Sequence, residues 1–277
     1  MPQITTMKKS KKRAIIISSI AAFLIVACIA GLLVAGSLWG IPPFDGLFDM
    51  RIAKLAGNRE QYNIENVEEL ENSPLEGMNI CYLGSSVTYG ASSLQTSFVE
   101  YIAKRNNTTY VKEAVSGTTL VDEGIGSYVS RMQSLGKDAH FDMFVCQLST
   151  NDATQNKALG EVSEDGTTEF DTHTVCGAIE YIITYVTQTW NCPVVFYTNS
   201  YYESRSYAAM VNALEEIRQK YDIGVIDLYS DEAFNDISDE RRALYMADDI
   251  HPTKAGYLEW WTPRMEEYLY DFIGENI

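Results

Sequence analysis

Asn79–Gly90 reads NICYLGSSVTYG: five residues of strand character, then a glycine-initiated turn carrying two serines. A short apolar run bounded by glycine reads as a buried strand that ends in a tight turn. Working outward, similar runs follow at Tyr110–Val115, Phe141–Leu148, Val194–Thr198 and Gly224–Leu228. Helical patterns separate them near 96–105, 125–135, 173–190 and 204–221, and a last one covers about 254–273. Tyr181, Ile182, Tyr185 and Val186 keep helical spacing within the third. Five short strands alternating with helices predict a three-layer α/β/α domain around a five-stranded parallel sheet. In such a sheet the functional crevice lies outside the carboxyl ends of the strands. That rule selects which loops are worth reading for chemistry.

The whole chain has 277 residues, 21 Lys+Arg against 38 Asp+Glu, a formal net charge of −17 and 46% hydrophobic residues. This acidity opposes binding to phosphate backbones, so no nucleic-acid partner is expected. The apolar content excludes a disordered chain, and the length is ample for a core without disulfides. The charge is uneven. Residues 1–13 hold five bases and no acid, and residues 14–39 hold no charged side chain. The remaining 238 residues therefore carry 16 bases and 38 acids, a net of −22.

The uncharged run Ala14–Trp39 would span roughly 39 Å as a helix, enough to cross a hydrocarbon core of about 30 Å. Lys8, Lys9, Lys11, Lys12 and Arg13 precede it, which predicts a cytoplasmic amino terminus and an extracellular domain on the far side. The expected localisation is a single-pass protein of the cell membrane, with residues 14–39 as its contact with the lipid bilayer. Two rivals are a cleaved signal peptide, whose apolar region is usually about 7–15 residues, and lipidation at Cys28 within Ile25-Val26-Ala27-Cys28. Against lipidation, the chain stays apolar for eleven residues beyond Cys28. Residues 40–77, with Gly40-Ile41-Pro42-Pro43 and the acidic stretch Glu65–Glu71, read as a juxtamembrane stalk before a domain at 78–277. The cysteines read as buried free thiols: Cys81 and Cys146 sit in strands, and Cys176 and Cys192 bracket a helix that would hold them some 20 Å apart.

Four loops lie at the selected edge. The first, Leu83–Gly90, offers Ser86 on a tight turn out of a strand, where a hydroxyl can attack a substrate; an ordinary turn or helix cap is the bland alternative. The second is Ser116-Gly117-Thr118-Thr119, where glycine lets a backbone N–H approach a ligand closely. The third is Ser149-Thr150-Asn151-Asp152, where the Asn151 amide could face a developing oxyanion or simply cap a helix. In the fourth, Asp248-Asp249-Ile250-His251-Pro252-Thr253, an Asp three residues before a His can reach one ring nitrogen and leave the other free as a base. His140 falls at the wrong end of the sheet and His173 opens a helix, so His251 is the candidate base. Three dispersed histidines and no clustered cysteines predict no metal, and no cofactor is expected.

Taken together, Gly-x-Ser after the first strand, Gly after the second, Asn-Asp after the third and Asp-x-x-His-Pro near the end resemble the SGNH/GDSL hydrolase superfamily. The resemblance covers about residues 78–273 and implies its flavodoxin-like fold, with Ser86, Gly117, Asn151 and His251 as the naming residues and Asp248 completing a triad. Two departures stand out: Gly-Asp-Ser reads Gly84-Ser85-Ser86, and Gly-x-Asn-Asp reads Ser149-Thr150-Asn151-Asp152. The implied activity is ester hydrolysis through an acyl-enzyme on Ser86, with an oxyanion hole built by the Ser86 and Gly117 backbone N–H groups and the Asn151 amide. The expected partner is an acylated small molecule or glycan, with a short acyl group such as O-acetyl. Tyr201 and Tyr202 could provide platforms for a sugar ring, and Ala153–Asp171 is long enough for a lid or a plain connector. An O-acyltransferase using the same triad, and a non-catalytic tethered carbohydrate-binding protein, are the competing readings.

Overall fold

The computed structural model describes residues 3–40, 42–44 and 46–276, with side chains for 16–38, 40, 42–44 and 46–274. The chain divides into two compact units, residues 1–54 and 55–277. The first contains helix α1 (Gln3–Trp39) and the short α2 (Gly46–Ile52). Within α1, Ile16–Leu38 form a stretch of 23 residues long and apolar enough to cross a membrane, and its side chains from Ile16 to Val34 are exposed. The basic cluster Lys8–Arg13 belongs to α1, but its side chains lie outside the described residues.

In the second unit, strand β1 (Asn79–Gly84) leads through α3 (Ser86–Tyr89) and α4 (Phe98–Asn106) to β2 (Thr109–Ala114). Helix α5 (Tyr128–Ser134) precedes β3 (Met143–Gln147), and α6 (Thr150–Thr154) and α7 (Val175–Trp190) precede β4 (Val194–Tyr197). Helix α8 (Arg205–Lys220) leads to β5 (Gly224–Ile226). The chain closes with α9 (Glu232–Asn235), α10 (Asp239–Tyr245), α11 (Lys254–Gly256), a π-helical turn (Tyr257–Trp261) and α12 (Thr262–Asn276). The strands are all parallel in the order β2-β1-β3-β4-β5. That order sets the carboxyl end of β1 between those of β2 and β3, so the first three candidate loops are neighbours.

Alternation along the strands explains the two layers. Cys81, Leu83, Phe144, Cys146, Val194 and Phe196 join the core beneath α5, α7 and α8. Ile80, Tyr82, Met143, Val145, Val195 and Tyr197 join the opposite core, against α4 and the carboxyl-terminal helices. The helices start where a hydroxyl satisfies orphan N–H groups. Ser97 accepts from the Val99 N–H at 3.3 Å while Glu100 returns a bond to the Ser97 N–H at 2.7 Å, a capping box. Ser127, Thr174 and Ser204 cap α5, α7 and α8 through their hydroxyls, which accept the Ser130, Gly177 and Tyr207 N–H groups. Helices α4 and α7 end on Asn107 and Asn191 in the left-handed conformation.

Three details depart from the sequence reading. Residues 55–77 are not a free stalk: Leu75, Tyr62 and Val67 are buried in the second core, and the compact unit begins at Leu55. Between Ala56 and Asn66 the chain folds as three 3₁₀ turns. The final helix contains the π turn, whose Tyr257, Trp260 and Trp261 are all buried. The segment after α6 is anchored at its middle. Glu180, wholly buried, accepts from the Ser163 N–H at 3.0 Å and its hydroxyl at 2.8 Å, and Lys220 joins the same carboxylate at 2.9 Å. Burial works against the Glu180 charge, yet the bonds from Lys220 and Ser163 prevail and hold its carboxyl below the ordinary value. The described cysteines are all free, with Cys28 exposed and the other four buried.

Candidate active site

The turn out of β1 admits glycine alone at position 84, because a Cβ there would overlap the Thr88 hydroxyl. Gln147, at the end of β3, then bolts the turn in place: its buried Oε1 accepts from the Ser85 N–H at 2.9 Å and the Thr88 hydroxyl at 2.9 Å. Ser86 is the first residue of α3, almost fully buried, and the Gly90 and Ala91 N–H groups both return to its carbonyl at 3.0 Å. Its Oγ lies 2.8 Å from His251 Nε2.

His251 is carried by a loop closed on itself. Met246 and Pro252 form an antiparallel bridge, the Ala247 N–H donates to the His251 carbonyl at 2.9 Å, and the Thr253 N–H donates to the Tyr245 carbonyl at 2.7 Å. Inside it, Asp248 Oδ1 accepts the Ile250 and His251 N–H groups at 2.9 and 2.8 Å. Both carboxylate oxygens stand 2.9 Å from His251 Nδ1. A carboxylate can only accept, so the proton sits on Nδ1 and the Nε2 lone pair faces the Ser86 hydroxyl. Partial burial opposes the Asp248 charge, but the His251 ring bond and charge and the two N–H bonds bring its carboxyl down to about 2.

The second and third loops are interlocked. Asn151 Nδ2 donates to the Thr118 carbonyl at 2.9 Å, next to Gly117 in the left-handed conformation at φ +80°. Nothing lies within 4 Å of where a Cβ on Gly117 would sit, so conformation rather than space calls for glycine there. The neighbouring Asp152, buried, accepts the Leu120 and Val121 N–H groups at 2.7 and 3.1 Å. Its burial raises its carboxyl above the ordinary value despite bonds from Ser149, Leu120 and Val121 and the Lys157 charge. Beneath both loops runs Arg131, only 8% exposed. Its guanidinium donates to the Gly84, Glu113 and Gly126 carbonyls at 2.8, 2.6 and 3.0 Å and to the Thr118 hydroxyl at 3.1 Å.

The structure thus brings Ser86, Asp248 and His251 into one hydrogen-bonded line and ties Asn151 to the Gly117 loop. Tyr201 and Tyr202 differ in their accessibility. Tyr201 is 50% exposed with its ring against Tyr229, whereas Tyr202 is 9% exposed and packs between Tyr207 and Tyr229. His140 is exposed beside Asp142, and His173 Nδ1 bonds the Asp122 carbonyl at 2.7 Å. Among the described residues no group of three His, Cys, Asp or Glu side chains could hold a metal ion. Gln147 and Arg131 escaped the motif reading. Gln147 had one signal, a polar residue closing an otherwise apolar strand; Arg131 had none, since three of its four partners described above are backbone carbonyls.

Residues 82–258, well over half the chain, match the GDSL-like lipase/acylhydrolase family. Solved structures share the fold. One is a protein from Lactobacillus plantarum at 18% identity and a TM-score of 0.58, covering 73% of this chain and 99% of that one. Another, a member of the lipolytic G-D-S-L family from Veillonella parvula, is 17% identical with a TM-score of 0.53, covering 69% and 97%. A family two carbohydrate esterase from Clostridium thermocellum is 14% identical with a TM-score of 0.50, covering 75% and 66%. No curated protein matches the chain. With the family match spanning the strand-end loops in order, the chain belongs to the GDSL-like lipase/acylhydrolase family and is a hydrolase of the SGNH type.

Proposed function

We propose that the protein is a membrane-anchored serine esterase that removes a short acyl group, such as O-acetyl, from a neutral or cationic acceptor. The observation that carries this reading is the line Ser86 Oγ–His251 Nε2 at 2.8 Å and His251 Nδ1–Asp248 at 2.9 Å. Ser86 Oγ attacks the ester carbonyl carbon as its proton passes to His251 Nε2, and Asp248 stabilises the imidazolium. The tetrahedral oxyanion is met by the Ser86 and Gly117 N–H groups and the Asn151 amide. Collapse breaks the C–O bond of the ester, His251 returns the proton to the leaving alcohol, and water repeats the sequence on the acyl-enzyme. A carbohydrate ester is supported by the esterase neighbour from Clostridium thermocellum and by Tyr201, whose exposed ring is available to a sugar face. Tyr202, packed against Tyr207 and Tyr229, backs the Tyr229 ring on which Tyr201 rests and is too enclosed to serve as a sugar platform.

The anchor is Ile16–Leu38, with the basic residues before it on the cytoplasmic side and residues 55–277 outside. The test is turnover of p-nitrophenyl acetate by the full chain in detergent, beside Ser86→Ala and His251→Ala. Loss of activity in both variants supports the reading, and activity surviving both would overturn it. Products analysed with and without an added glycan acceptor separate hydrolysis from acyl transfer.

A further inference from the structure

The hydrogen bond between Ser86 and His251 joins two elements 165 residues apart, so something must hold α3 and the 246–252 loop in register. Catalytic groups need placement within about 0.5 Å of the productive geometry. One crosslink is plain: Tyr257, fully buried, donates its hydroxyl to the Val87 carbonyl at 2.6 Å. The other comes from outside the family-matched region, which begins at residue 82. Asn58, 5% exposed, donates its Nδ2 to the Ser92 carbonyl at 2.8 Å. Its Oδ1 accepts the Lys254 N–H at 2.9 Å. Ser92 follows the nucleophile's helix by three residues, and Lys254 follows His251 by three.

The surrounding contacts make the bridge tight. A Cβ on Gly57 would overlap the Leu244 carbonyl and the Thr253 side chain, so the backbone there lies directly on the root of the His251 loop. Lys254 Nζ, in turn, donates to Asn63 Oδ1 at 2.7 Å, a second grip from the same segment. The Lys254 N–H is one of the orphan donors at the start of α11, and Asn58 satisfies it from a distant part of the chain. A primary amide both donates and accepts; neither a carboxylate nor an apolar side chain can make the two bonds at once.

We infer that Asn58 is a positioning residue that clamps the nucleophile's turn to the base's loop, making the segment after the membrane helix a working part of the active site. The inference rests on the Ser86–His251 reading of the proposed function. The experiment compares wild type, Asn58→Ala and Arg105→Ala in the full chain in detergent, well below their melting temperatures. Arg105 is a control on the same side of the sheet, clamping α4 to α12 through Glu266 at 2.9 Å. Turnover of p-nitrophenyl acetate is divided by sites titrated with a fluorophosphonate that labels the active serine.

A displacement approaching 1 Å costs up to about a hundredfold in rate. Asn58→Ala should therefore lower kcat per titrated site by about 10- to 100-fold with KM within about twofold. Its serine should still label to full stoichiometry, but more slowly. Arg105→Ala should lower Tm and leave per-site kcat unchanged. Wild-type per-site kcat in Asn58→Ala, with or without a reduced titre, would overturn the inference. If alanine prevents folding, Asn58→Asp keeps the acceptor for Lys254 and loses the donor to Ser92. The same per-site loss in it supports the clamp, and wild-type turnover overturns it. Activity surviving Ser86→Ala would instead mean that the esterase reading has failed, whatever Asn58 does.

Discussion

Replacing Arg131 by Met keeps an apolar stem of similar length and removes every polar bond that the guanidinium makes beneath the candidate site. The guanidinium serves three carbonyls, those of Gly84, Glu113 and Gly126, and the Thr118 hydroxyl, and it lies 5.2 Å from the Tyr128 ring centroid. Its closest carboxylate oxygen, on Glu113, is 3.5 Å away, so the carbonyls rather than a tight ion pair hold the charge. Hydrogen bonds to a charged group are worth about 1.5–3 kcal/mol each, and a buried acceptor left without a donor costs about 1–3 kcal/mol. Set against the desolvation that Met no longer incurs, a net loss of about 3–5 kcal/mol is expected. A domain of typical stability, about 5–15 kcal/mol, tolerates that. At roughly 2–4 °C per kcal/mol for a unit of this size, Tm should fall by about 6–20 °C.

The same substitution should reach the chemistry, because Gly84 stands two residues before Ser86 and Thr118 holds Asn151. A fall in kcat of about tenfold or more is expected at temperatures where the variant is folded. Arg131→Lys keeps the charge but not the planar fork, so it should fall between wild type and Met. Thermal melts followed by circular dichroism and esterase kinetics on the same preparations measure both effects. An Arg131→Met variant that melts within 2 °C of wild type and keeps its kcat would refute the reasoning.

Other consequences are as direct. Asn151→Ala removes one donor of the proposed oxyanion hole and should lower kcat by about 10²–10³-fold with KM changed little, measured by steady-state kinetics. The folded-state carboxyl of Asp248 lies at about 2, below its ordinary 3.8. Its ionised form therefore stabilises the fold above the ordinary value, and that contribution is lost as pH falls through about 2. The stability difference between wild type and Asp248→Asn, from denaturant titrations, should shrink steadily as the pH falls from about 5 towards 2. Glu180→Ala removes the buried carboxylate that Lys220 and Ser163 share. It should cost about 3–5 kcal/mol in denaturant unfolding and expose residues 155–174 to limited proteolysis, whereas Arg218→Ala, on a half-exposed pair, should cost under about 1 kcal/mol.

What could be read from the sequence divides along physical lines. Strand and helix runs and the pairing of Asp248 with His251 are signals written in a few adjacent residues, and the structure carries the runs to within about three residues at either end. Ser86, Gly117 and Asn151 are legible as neighbours because parallel topology sends the carboxyl ends of β1, β2 and β3 to one edge; His251 reaches Ser86 from the loop before α11, which strand order alone does not place.

Gln147, Arg131 and Asn58 were not legible because each works on main-chain groups far away in sequence: Ser85, the Gly84 carbonyl, and Ser92 with Lys254. A backbone carbonyl has no residue type, so no motif can record that it needs a partner. The stalk reading failed for the same reason. Residues 55–66 look like a polar connector when only their own composition is weighed, with Asn58 and Asn63 as ordinary turn formers. Their cost of ordering is met by the burial of Tyr62 and by bonds to Lys254 just beyond the His251 loop, terms that exist only after the domain has folded. A segment that gains its order from the active site is also one the active site can lose, which is why Asn58, outside the matched family region, should weigh on turnover more heavily than an ion pair such as Arg105–Glu266.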